Sequence, residues 1–228
     1  MSRKSLLLTT AISMVLIGGV AATLAVIASH APAFYQSAAV APGESRRKSS
    51  GQFVSKFANL ISSLVDKRHW SEQFTEEQIN SYLEEDFLME HSAERPLPEG
   101  ISEPRVSFDT DRVQLGFRYR IGKWSTVISL DVHVWLVAKE TNTVALEFRS
   151  MRAGALPISA HSWMERQVDA IRQRDIEASW YRHEGYPVLL LRFQADRSNP
   201  TFRLQNLSLR PGEIVITGRS NDGSRGVE

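Results

Sequence analysis

Residues 52–218 predict an α+β fold, an antiparallel sheet packed against two or three helices, and an N-terminal transmembrane helix is expected ahead of it. Three observations carry this reading. Residues 6–28 are uncharged and mostly apolar, a helix length that matches the ~30 Å hydrocarbon core of a bilayer. Apolar residues then recur at helical spacing as far as Phe87, and from Glu103 the period changes to the alternation of half-buried strands.

The apolar run divides the chain into a cytoplasmic N-terminus at 1–5, a signal anchor at 6–28, a flexible linker at 29–51, an extracytoplasmic domain at 52–218 and a disordered tail at 219–228. Arg3 and Lys4 favour an N-terminus on the cytoplasmic side of a single-pass protein, with Arg46-Arg47-Lys48 as the opposing signal. A cleavable secretory signal is the rival reading. Ala31-Pro32-Ala33 offers a small-residue cleavage site, but the apolar run is longer than such signals carry. Residues 31–51 are rich in Ala, Ser, Pro and Gly, which suits a tether better than a core.

About 170 residues remain, enough for one domain with a sizeable core. Residues 1–48 hold five basic residues and only Glu44, so the rest has 22 Lys+Arg against 25 Asp+Glu, a balance of −3. Such a surface gives no electrostatic reason to expect nucleic acid. The chain has no cysteine, which excludes disulfides and thiol chemistry.

Phe53, Phe57, Leu60, Ile61, Leu64 and Val65 form the stripe of an amphipathic helix over 52–68. Phe74-Thr75-Glu76-Glu77-Gln78-Ile79 starts a second helix. Thr75 is its N-cap, Gln78 closes a capping box and Phe74 staples to Ile79. This helix runs to about Met89, with Ile79, Tyr82, Leu83 and Phe87 inward, and Pro96 and Pro98 stop it. Strands follow around Val106 and at Val113–Tyr119, joined through Asp109-Thr110-Asp111. Next, Ile128, Leu130, Val132 and Val134 face one way and Ser129, Asp131 and His133 the other, and Val144, Leu146 and Phe148 complete a meander. A third helix is expected from about Ser159 to Arg174, then strands at 176–181 and 188–193 and a hairpin of 202–209 with 213–218 around Pro211-Gly212.

No catalytic, metal or cofactor constellation emerges from this order. His69 ends a helix beside Lys67-Arg68, an ordinary solvated position. Asp131 and His133 share a strand face, which suits an oriented base, yet no G-x-S-x-G nucleophile accompanies them and a solvated pair is the simpler reading. His183-Glu184 lacks the second histidine of H-E-x-x-H, and no Gly-rich phosphate loop occurs. Glu84-Glu85-Asp86 reads as a solvated acidic face. Trp124, Trp135, Trp163 and Trp180 scatter across elements, and Trp135 falls on the polar side of its strand, where it marks a covered patch or a partner contact.

The phrases Phe-Thr-Glu-Glu-Gln-Ile-Asn-Ser-Tyr-Leu at 74–83 and Leu-Ser-Leu-Arg-Pro-Gly-Glu-Ile-Val-Ile-Thr-Gly at 207–218, with Gly-Ala-Leu-Pro at 154–157 between them, resemble the YpmS-like group of bacterial single-pass membrane proteins. That group is distantly similar to tubular lipid-binding domains. The resemblance implies a bacterial cell-membrane protein with a curved sheet beside a long helix and an apolar groove between them. Two non-enzymatic functions are then expected. In one, a lipid or other amphiphile fills a groove lined by Leu60, Leu64, Leu83, Ile128, Leu130, Val132 and Val134. In the other the core is filled and the domain is an interaction or scaffold subunit of a cell-envelope complex.

Overall fold

The computed structural model describes residues 3–66, 68–87, 97–159, 177–193 and 201–220. Helices α1 (Arg3–Ser29), α2 (Ala33–Ser37) and α3 (Glu44–Asp66) precede β1 (His69–Thr75) and α4 (Glu76–Tyr82), which continues into one π-helical turn, Leu83–Phe87. The strands β2 (Ile101–Asp109), β3 (Arg112–Ile121), β4 (Trp124–Leu136), β5 (Thr143–Ala153), β6 (Leu156–Pro157), β7 (Glu177–His183), β8 (Tyr186–Arg192), β9 (Phe202–Arg210) and β10 (Glu213–Ser220) follow.

These strands build two antiparallel sheets instead of the single expected one. The larger has the order β2-β3-β4-β5-β8-β7, with β6 beside β5, and the smaller has the order β1-β10-β9. Alternation in β4 divides the large sheet into two faces. Ile128, Leu130, Val132 and Val134 point inward and pack with Phe108, Val144, Met151 and Leu209. The small sheet has one apolar face and serves two neighbours with it. Leu204, Leu207, Leu209 and Ile214 join the inner face of the large sheet, while Trp70, Phe74 and Ile216 pack on Leu60, Phe53 and Leu64 of α3.

Four expectations need correction. First, the single-pass anchor and the membrane localisation do not stand, because among the described residues no helix is long and apolar enough to cross a membrane. The last turn of α1 is bound to the large sheet: the Ala155 N–H donates to the Ile27 carbonyl at 3.1 Å and Thr126 Oγ1 to the Ala28 carbonyl at 2.6 Å. Gly154, at φ +60°, leaves no room there for a side chain, since a Cβ would run into the Ala28 carbonyl.

Second, the segment expected as a flexible linker holds α2 and the start of α3. Tyr35 is 1 % exposed, and its hydroxyl donates to the Glu103 carbonyl at 2.8 Å. The Arg105 guanidinium lies 4.4 Å from the Tyr35 ring centroid and also donates to the Tyr35 carbonyl. A Cβ at Gly116 would come within 2.6 Å of the same ring, so the missing side chain makes the seat for it. Burial pushes the Tyr35 phenol up to about 12.

Third, His69 opens a strand and does not end a helix. Trp70 and Phe74, its buried residues, are four apart, a spacing that helices also show. Fourth, Glu84-Glu85-Asp86 is no solvated face. Glu85 pairs with Arg46 at 2.6 Å, Asp86 accepts from Ser50, and Glu84 lies 3.6 Å from Arg105, so three successive carboxylates tie three elements together. The expected helix at 159–174, the end of the second helix at Met89 and the tail beyond Ser220 lie outside the described residues.

Candidate functional site

The residues assigned to a groove are spread over more than one cluster. Ile128, Leu130 and Val132, at 7, 3 and 2 % exposure, are packed into the main core, and Val134 sits at its edge. Leu60 and Leu64 belong to the second cluster, under β1 and β10, and Leu83 opens the π-helical turn and joins neither. The apolar face of the small sheet bridges the two clusters. Thr75 and Gln78 form the expected capping box, in which Thr75 Oγ1 accepts from the Gln78 N–H and Gln78 Oε1 from the Thr75 N–H, each at 3.2 Å.

A cleft of about 680 Å³ opens instead at the end of the large sheet. One wall is the end of β4 with its turn into β5, residues 134–141, and the other is β9 from Arg203 to Leu207. Val134, Leu136, Leu204 and Leu207 extend the apolar core into its floor, and Asp111, Lys139, Arg203, Gln205 and Asn206 supply polar groups. Buried Asn142 follows Thr141 at the end of the first wall. Its Nδ2 donates to the Phe202 carbonyl at 2.7 Å and its Oδ1 accepts from the Leu204 N–H at 2.8 Å, so the side chain pairs with β9 as a strand would. It holds φ +53°, a conformation that Asn tolerates better than most residues. Glu140 is engaged by Arg192, which also binds Glu177. Burial alone would lower the Arg192 guanidinium, but these bonds hold it above its usual range.

Trp135 lines the same cleft from the outer face of the large sheet and leads to a second polar group. Its ring centroid lies 5.0 Å from that of His133 and 6.5 Å from that of His183. Glu147, paired with His133 in the β4–β5 ladder, is fully buried, and its Oε2 lies 2.9 Å from His183 Nδ1. Arg149 bears on the other carboxylate oxygen, and its guanidinium sits 4.6 Å from the Tyr186 ring centroid. A carboxylate therefore orients the His183 imidazole through Nδ1 and leaves Nε2 as its free nitrogen. Among the described residues no hydroxyl bonds to His183 as a nucleophile would, and no three His, Asp or Glu side chains are grouped to hold a metal ion. Asp131 does not orient His133. Its Oδ2 lies 3.4 Å from Arg112 instead.

Neither a family model nor a curated protein nor a solved structure matches this chain. The likeness to YpmS-like proteins therefore rests on the phrases at 74–83, 154–157 and 207–218 alone. Sequence reasoning missed Glu147 and Asn142. Alternation along β5 places Glu147 on the outer face, where a glutamate reads as solvated, and its partner His183 arrives from β7, on the far side of β8. Asn142 sits in a Thr-Asn-Thr turn and looks like ordinary turn chemistry.

Proposed function

We propose that the domain is a non-catalytic interaction module that holds a partner protein in the cleft beside Trp135. The observation that carries this reading is where the open volume lies. Ile128, Leu130 and Val132 of the expected lipid groove are packed into the core, whereas the cleft has a mixed lining with Trp135 at its border. Pockets for amphiphiles are predominantly apolar with few polar groups, and aromatic residues and Arg are enriched where proteins meet.

The test is a photo-crosslinking residue placed at Ala138 in the full chain, with the same residue at Ser71 on the polar face of β1 as control. Ala138 is exposed and lines the cleft, so the substitution disturbs no packing. A discrete protein adduct from position 138 alone is the expected result. Lipid adducts alone, or none, sink the reading.

A further inference from the structure

Resting on the interaction reading above, we infer that the cleft takes an extended, acidic segment of the partner as an added strand on the free edge of β9. The backbone register points to this. Arg210 and Glu213 flank a two-residue turn, which makes them a hydrogen-bonded pair, so in the ladder 209↔214, 208↔215, 207↔216 the N–H and C=O of Leu207 turn away from β10. They turn to the side on which Asn142 binds Phe202 and Leu204, the side that the cleft occupies. Among the described residues no hydrogen bond takes up the outward groups of Leu207. Asn142 satisfies the edge as far as Leu204, the ladder is irregular at Gln205, and beyond it the edge is open among the described residues. A half-buried edge with unmade backbone bonds is a template for another strand, and main-chain bonds supply affinity to any extended peptide that reaches it.

Charge selects the kind of segment. Lys139 stands on one wall and Arg203 on the other, both exposed and, among the described residues, without a carboxylate partner. Glu140 is held by Arg192, which leaves Asp111 as the one uncommitted anion on the lining and a surplus of positive charge. The floor of Val134, Leu136 and Leu207 accepts apolar side chains from one face of the added strand. The occupant that fits alternates apolar and acidic residues, with its carboxylates directed at Lys139 and Arg203.

The experiment uses the full chain and four dye-labelled, end-capped octapeptides: alternating valine and glutamate, alternating valine and lysine, and two versions of the first peptide N-methylated on alternate amides, one in each phase. Fluorescence anisotropy and hydrogen exchange at the Leu207 amide are read together. The valine–glutamate peptide is expected to bind at least tenfold more tightly than the lysine peptide and to slow Leu207 exchange at least tenfold. One phase of N-methylation is expected to abolish both effects, and the pair Lys139→Glu and Arg203→Glu to reverse the peptide preference. Equal binding of the N-methylated peptides, or no protection of Leu207, overturns strand addition. If the adduct at position 138 still forms in that case, the interaction reading survives alone. If binding shows no charge preference, the acidic assignment falls.

Discussion

Two strand edges of this molecule are finished with the same device and to different extents. On β2, Asn80 reaches from α4 and makes both bonds to Val106, donating to its carbonyl and accepting from its N–H at 2.8 Å each. Glu76 then accepts from the Phe108 N–H at 2.5 Å and from Ser107 Oγ at 2.8 Å, and the Phe108 carbonyl accepts from the Gly212 N–H. Tyr35 holds the same strand at Glu103 and Arg105. On β9, Asn142 makes the equivalent pair of bonds at Phe202 and Leu204, and among the described residues nothing continues the closure to Leu207. One edge is closed along its length and the other stops where the cleft begins. Exposed edges invite unwanted pairing, so a strand left open beside a cleft, in a chain that closes β2 so fully, reads as a surface kept for use.

Breaking the closed edge has the largest effect. Asn80 is 1 % exposed, and Asn80→Ala strands the Val106 N–H and carbonyl in a buried site. Two unsatisfied backbone groups cost about 3 kcal/mol together. Chemical denaturation should show this loss with an unchanged slope. Asn142→Ala removes its pair of bonds to Phe202 and Leu204, beside a cleft from which water can enter once the side chain is gone, and should cost roughly half as much. Equal losses at the two positions would mean that the edges are equally dry, and the contrast between them would collapse.

Tyr35 sharpens the comparison through pH. Its phenol must keep its proton to donate to Glu103, and burial raises it from about 10 to about 12. For a group raised on folding, the stabilising contribution is complete below the unfolded value and is lost as pH climbs through the folded one. The closed edge should therefore loosen between pH ~10 and ~12, seen as faster exchange around Glu103 by pulse labelling, and Tyr35→Phe should cost about 1 kcal/mol and remove that pH step. Leu207 should exchange at the same relative rate throughout. A pH step at Leu207 that matched the one at Glu103 would join two edges that the comparison keeps apart.

What could be read in advance follows the range of the interactions. The start of α4 at Thr75 and the alternation of β4 and β5 depend on neighbours a few residues away, and both were legible in the residues themselves. Tyr35 was not, because its partners Glu103, Arg105 and Gly116 lie some 70 residues on and make an ordered segment out of a linker composition. The split of the expected groove residues between two clusters was hidden for the same reason. Leu60 and Ile128 both look like wall residues until the β9–β10 hairpin is known to pair with β1, and nothing local in Trp70 or Phe74 announces that strand. The contrast between Asn80 and Asn142 is beyond the sequence for a further reason: both are asparagines near a capping or turn signal, and only the strand each one meets tells them apart.

The smallest predicted effect tests how much of the closure is charge. Glu76 lies in the first turn of α4, where the helix dipole favours an anion, and the same Oε1 accepts two bonds from β2. Glu76→Gln keeps an acceptor oxygen of the same reach and removes only the charge. If the edge is closed by geometry, the loss should be about 0.5 to 1 kcal/mol, the worth of a dipole interaction and of charge assistance to the hydrogen bonds, and Phe108 should stay protected from exchange. A loss as large as that of Asn80→Ala, with Phe108 exposed to exchange, would show that the carboxylate charge itself holds α4 against β2. The closed edge would then depend on the charge of one side chain and not on the reach of its oxygen.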